Sequence, residues 1–168
     1  MPSESVAMIE LYIKNLDRYT IEQLRANSTD DQWSIGQVYM HVIKAANEYI
    51  AHMEACAADT REVAEGKTED GMKTFAAKMW PDVRVRLAEP PRATPNPESK
   101  EALVAELEQV LAKLHHWEDR LDAINPACKR RHGWFGWLNG REWFEMVGLH
   151  ARHHLKQIAS LDRLLAEQ

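Results

Sequence analysis

Apolar residues that recur every three or four positions, two complete helix-start signals far apart in the chain, and the lack of any convincing pair of strands point to an all-α protein. Four such amphipathic segments are present. The second and third are separated by a stretch rich in proline and glycine, from about Thr60 to Asn96. The expected architecture is therefore a four-helix bundle with a long crossover between helices 2 and 3. At 168 residues the chain has the size of one domain, spanning 1–168, and can bury a core without disulfide staples.

The first helix is expected to start near Ser3 or Ser5, with Ile9, Tyr12, Ile13 and Leu16 on one face and Thr20 to Leu24 as a helical continuation or separate turn. The second opens on a full signal. Ser34 is placed as N-cap, Gln37 as its capping-box partner three residues on, and Trp33 to pack against Val38. Ile35, Val38, Val42, Ala45, Tyr49 and Cys56 then follow an apolar repeat, with Gln37, His41, Glu48 and His52 in a polar stripe beside it.

In the crossover, Val83, Val85 and Leu87 alternate with Arg84 and Arg86, which suggests one extended piece. Asn96 as cap and Pro97 at the first helical position would open the third helix, ending before Asn125-Pro126. Its seam, Leu103, Leu107, Val110, Leu114, Trp117, Leu121 and Ile124, is wholly apolar. About 28 residues at 1.5 Å each make it roughly 40 Å long, which requires a long partner. The fourth helix supplies one, with Asn139 as cap, Glu142 at the capping-box position and Leu138 placed against Trp143.

Hydrophobic residues make up 45% of the chain and charged residues 28%, a globular balance, and the net charge of -5 gives no general attraction to nucleic acid or anionic lipid. The basic run Lys129, Arg130, Arg131 and His132 is short and reads as a solvated loop. Neither a nucleic-acid partner nor a membrane is expected. Cys56 and Cys128 show no CxxC spacing and fit reduced thiols. Met1 to Val6 lacks the pattern of a secretory signal and no stretch approaches a membrane span, so a cytoplasmic protein is expected.

The fourth helix carries the chemistry. Trp143, Val147, His150, His154, Gln157, Leu161 and Leu164 alternate at spacings of four and three, so two imidazoles occupy seam positions where a bundle ordinarily has leucine. His150 and His154 lie one turn apart on one face and can reach a single ion. The glutamate of the HExxH proteases is absent, since Ala151 follows His150. His41 is the candidate third ligand: it borders the second helix's seam with small Ala45 one turn beyond, although a place on the exposed stripe is the competing reading. His52 lies roughly 16 Å along the axis from His41, too far to share an ion with it.

Three neutral imidazoles would leave a divalent ion with an open coordination position, able to take water or a thiol and lower its pKa. Metal affinity should then fall as pH drops below roughly 6, where protons compete for imidazole. No general base is evident from spacing. Gln37, one turn before His41, is a candidate for the pocket, with capping as its other role. Trp134 and Trp137, in a glycine-containing segment before the ligand helix, are candidates for the pocket mouth, where His132 and Cys128 could also approach.

The segments Trp33-Ser34-Ile35-Gly36-Gln37 with Met40-His41, Phe135-Gly136-Trp137-Leu138, Arg141-Glu142-Trp143 and His150 to Ile158 together resemble the DinB-like, or YfiT-like, superfamily. That resemblance implies a four-helix bundle in which one histidine of the second helix and two of an HxxxH in the fourth bind a divalent ion, commonly zinc or nickel. The matching positions are His41, His150 and His154. It further implies a small-molecule substrate, with hydrolases and with transferases using low-molecular-weight thiols among the relatives, and pairing of subunits as a homodimer. The expected function is thus a divalent-metal-dependent enzyme that activates a thiol or water for S-transfer or hydrolysis. The alternative is a noncatalytic metal- or ligand-binding stress-response protein.

Overall fold

The computed structural model describes residues 1–81 and 94–167. The alternating Val83, Val85 and Leu87 lie outside them. Four long helices make the bundle: α1 (Glu4–Asn15), α3 (Ile35–Ala58), α5 (Lys100–Glu118) and α6 (Gly140–Ala166). Helix α1 packs on α5 and α6, and α3 packs on the same two, so the four close into a ring around one core. Two short helices, α2 (Ile21–Arg25) and α4 (Glu69–Ala77), and one antiparallel hairpin, β1 (Lys129–His132) with β2 (Gly136–Asn139), decorate the ring. Among the described residues no helix is long and apolar enough to cross a membrane.

Ser3 caps α1, which buries Val6, Ile9 and Tyr12. Thr20 and Gln23 form a capping box, so the Thr20 segment becomes the separate helix α2. The buried Tyr12 hydroxyl donates to the Ala151 carbonyl at 2.5 Å, and the Tyr39 hydroxyl donates to the Tyr12 carbonyl at 2.8 Å. These two bonds knit α3 to α1 and α1 to α6. Gly148 permits their close approach: a Cβ there would lie 2.9 Å from the Ser5 nitrogen.

Three expectations need correction. The third long helix, α5, starts after Ser99, whose hydroxyl accepts from the Ala102 N–H at 3.0 Å, and not at Asn96-Pro97. Asn96 instead accepts from the Ser34 hydroxyl at 2.5 Å, and Pro97 is buried against Gly36, where an added Cβ would meet its ring at 2.6 Å. Both residues thus anchor the crossover to the start of α3. The helix also ends at Glu118, after 19 residues, because the Arg120 N–H turns back to the Trp117 carbonyl and its guanidinium donates to the His116 carbonyl; Leu121–Ala123 is a separate 3-10 turn.

Secondly, the crossover contains α4, capped by Thr68 and carrying Glu69 and Asp70 in its first turn, where they favour the helix dipole. Thirdly, the basic run Lys129–His132 is a strand and not a loop. It pairs with Gly136–Asn139, and Gly136 adopts φ +84 where it approaches Lys67 and Thr68.

Candidate metal centre

Two capping boxes fix the helices that carry the histidines. At the start of α3 the Ser34 hydroxyl accepts from the Gln37 N–H at 3.0 Å, while Gln37 Oε1 accepts from the Ser34 N–H at 2.8 Å. The same amide accepts from Asn27 Nδ2 and donates to the Thr94 carbonyl. At the start of α6, Asn139 and Glu142 bond reciprocally, and Lys67 pairs with Glu142. His41 follows the first box by one turn, and His150 and His154 follow the second by two and three.

Across the α3–α6 contact the three rings meet. His41 Nε2 lies 3.2 Å from His150 Nε2, and His154 Nε2 lies 3.1 Å from the same atom. One ligand atom from each lies within 4.8 Å of both others. Ala45, one turn beyond His41, is buried.

Two separate linear hydrogen bonds cannot account for both short distances. An imidazole nitrogen carries either one N–H or one lone pair, so His150 Nε2 can form one N–H···N bond, not two. A cation facing three lone pairs satisfies all of them. The spacing also fits: two nitrogens about 2.0 to 2.1 Å from a tetrahedral ion stand roughly 3.3 Å apart. His154 Nδ1 lies 2.8 Å from Gln157 Oε1; with Nδ1–H as donor, the lone pair is left on Nε2, facing the other two rings.

Burial holds the His150 imidazole well below its ordinary value, and His154 and His41 beside it add to the effect. Burial, with His41 next, lowers His154 to about 4, against an opposing contribution from the Gln157 hydrogen bond. Protons therefore compete with an ion for these two rings at lower pH than the free imidazole value implies.

Aromatic rings surround the triad. Trp33 meets His41 edge to face at 5.2 Å, and Tyr49 and Trp80 meet His150 in the same manner at 5.7 and 5.1 Å. Trp80 also stacks on His153 and meets Trp134 at 6.1 Å, so Trp134 adjoins the histidines through Trp80. Trp137 sits on β2, where its backbone N–H donates to the Gly66 carbonyl. Gln37 serves the capping box and the Thr94 carbonyl. His52 stacks on Trp143 at 4.4 Å, away from the triad. His132 Nδ1 accepts from the N–H groups of Trp134 and Phe135, closing the hairpin turn, and its ring stacks on Phe135. The Cys128 thiol donates to the Asp59 carbonyl.

Sequence reasoning passed over Tyr49, Trp80 and Gln157 as site residues. Tyr49 belongs to the apolar repeat of α3 and reads as core, and Trp80 lies beyond α4 in what reads as crossover. Gln157 carried the only usable signal, a polar residue at a seam position three residues after His154. A family model described as the DinB superfamily matches residues 6–158, a span that contains both capping boxes and all three histidines. No curated protein and no solved structure matches the chain.

Proposed function

Since the chain belongs to the DinB superfamily, we propose that His41, His150 and His154 hold one divalent ion, zinc or nickel, in an enzyme acting on a small apolar molecule. The observation that carries this reading is the single nitrogen, His150 Nε2, with two other imidazole nitrogens within 3.2 Å. An ion at that point supplies Lewis-acid activation of a water or a thiol near neutral pH. The reaction is S-transfer from a low-molecular-weight thiol to an electrophile, or hydrolysis.

The chain's own residues do the rest. Gln157 holds the His154 ring in the tautomer that presents Nε2. Trp33, Tyr49 and Trp80 exclude water from the far side of the histidines and offer apolar surface to the substrate. Neither cysteine serves as nucleophile. Cys56 is buried in the last turn of α3, where burial raises its thiol to about 11, and Cys128 is buried with its thiol committed to a carbonyl. A reacting thiol therefore comes from outside the chain.

The test is turnover by zinc- and nickel-loaded protein across a panel of small thiols and electrophiles, followed by mass spectrometry. Conjugated or hydrolysed product is expected, and it disappears in His150→Ala. Stoichiometric ion binding without product from any pair would overturn the catalytic reading in favour of a noncatalytic metal-binding protein.

A further inference from the structure

Tyr49 and Trp80 come from distant parts of the chain, one in α3 and one beyond α4, yet both meet His150 nearly edge to face. Neither is fully buried. Beyond Trp80 the aromatic surface continues through half-buried Trp134, and the buried ring of Phe135 supports Trp80 from the core. Beyond Tyr49 it continues through half-buried His132 at 6.5 Å, with the buried Trp143 behind at 5.8 Å. A planar partner suits such a setting, because aromatic rings gain from edge-to-face and offset stacking in addition to area buried.

Within this surface Tyr49 brings a polar group. Among the described residues it meets the rings of His132, Trp143 and His150, the Glu48 carboxylate acts on it by charge, and no hydrogen bond of its hydroxyl is seen. A phenol at neutral pH is a ready donor, and a half-buried one without an acceptor gains from a ligand that brings one. Charge sets the kind of acceptor. Among the described residues the cations on the Trp80 side are each committed: Lys78 to Glu145 at 3.0 Å, Arg152 to Glu4 at 2.8 Å and to the Lys78 carbonyl, and Lys67 to Glu142. With those charges balanced, and with the Glu48 carboxylate acting on the Tyr49 phenol, the described residues favour a neutral acceptor over an anion.

We infer that Tyr49 and Trp80 form a subsite beside His150 for a neutral aromatic carbonyl compound, its ring against Trp80 and its carbonyl oxygen accepting from the Tyr49 hydroxyl. This deepens the proposed function by naming the substrate class, and rests on that reading only for the subsite's place in a reaction. Binding itself does not require the ion.

Three probes of similar shape separate the possibilities: acetophenone, with a neutral carbonyl; ethylbenzene, with no acceptor; and benzoate, an anion. Each is titrated by calorimetry into metal-free and zinc-loaded protein, with Tyr49→Phe and Trp80→Ala beside the parent and circular dichroism to confirm folding. Acetophenone should bind metal-free protein about two- to tenfold more tightly than ethylbenzene, the worth of one hydrogen bond. Tyr49→Phe, which removes only the hydroxyl, should erase that difference. Trp80→Ala should weaken both aromatic probes, by up to about tenfold.

Equal affinity for acetophenone and ethylbenzene, preference retained in Tyr49→Phe, tighter binding of benzoate to the metal-free protein, or no binding of any probe would each overturn the inference. Zinc uptake, measured on the same samples, keeps the two readings apart. Protein that fails to hold zinc but prefers acetophenone through Tyr49 supports the subsite while refuting the metal centre; zinc retained without that preference refutes the subsite alone.

Discussion

His150 is the residue on which the site turns, because its Nε2 faces both other imidazoles. Replacing it with alanine should abolish stoichiometric divalent-ion binding, measured by elemental analysis after dialysis, while far-ultraviolet circular dichroism stays largely helical. Gln157→Leu removes the acceptor that orients His154 and should weaken ion affinity about 10- to 100-fold without abolishing it. The pH dependence follows from burial. His154 is lowered to about 4 and His150 well below its ordinary value in the fold, whereas imidazoles of an unfolded chain titrate near about 6.5. Between these limits the unfolded chain binds more protons. The stability these groups contribute to metal-free protein is therefore fully present above pH about 6.5 and is lost as pH falls through about 4, which urea titrations over that range would reveal. His150 and His154 were legible as a pair because four-residue spacing places them on one helical face. Tyr49 and Trp80 were not, since their approach to His150 depends on how α3, α4 and α6 pack, which local periodicity does not encode.

Among the elements, α3 and α6 were the most legible, for a capping box satisfies backbone groups within four residues and so is written locally. Ser34→Ala should cost about 1 to 2 kcal/mol in urea unfolding, since it removes the cap of α3 together with the bond to Asn96. The sequence pattern overextends helix α5 at both ends. A cap-then-proline signal at Asn96-Pro97 competed with Ser99, and tertiary contacts of Pro97 with Gly36 and of Asn96 with Ser34 decided between them. In α4 the starting signal at Thr68 was real but offset by Gly71 inside the helix, which is there because Phe135 O would lie 2.2 Å from any Cβ. The hairpin leaves little mark in the sequence because its two strands have four residues each, and alternating burial is clear only on β2. Gly148→Ala tests the α1–α6 approach. Its methyl would press on the Ser5 backbone, and destabilisation of about 1 to 3 kcal/mol is expected.

On the scale of the whole molecule, the three histidines stitch α3 to α6, two neighbours in the ring of helices, so an ion that binds the fold and not the unfolded chain must stabilise it. At a free concentration of about 100 times its dissociation constant, the gain is about 2.7 kcal/mol, and the melting temperature of a chain this size should rise by several degrees. His150→Ala should abolish that rise. The bundle itself is legible from four amphipathic segments; the phase of the fourth puts His150 and His154 on one face, whereas spacing alone leaves His41 between that face and the exposed stripe of the second helix. The most direct test is X-ray absorption on protein stripped with chelator and reloaded with one equivalent of zinc. Three imidazole nitrogens at about 2.0 to 2.1 Å are expected, and their signature should collapse in His150→Ala. A zinc ion surrounded only by oxygen, or one that dialysis removes from the parent protein, would contradict a centre built from His41, His150 and His154.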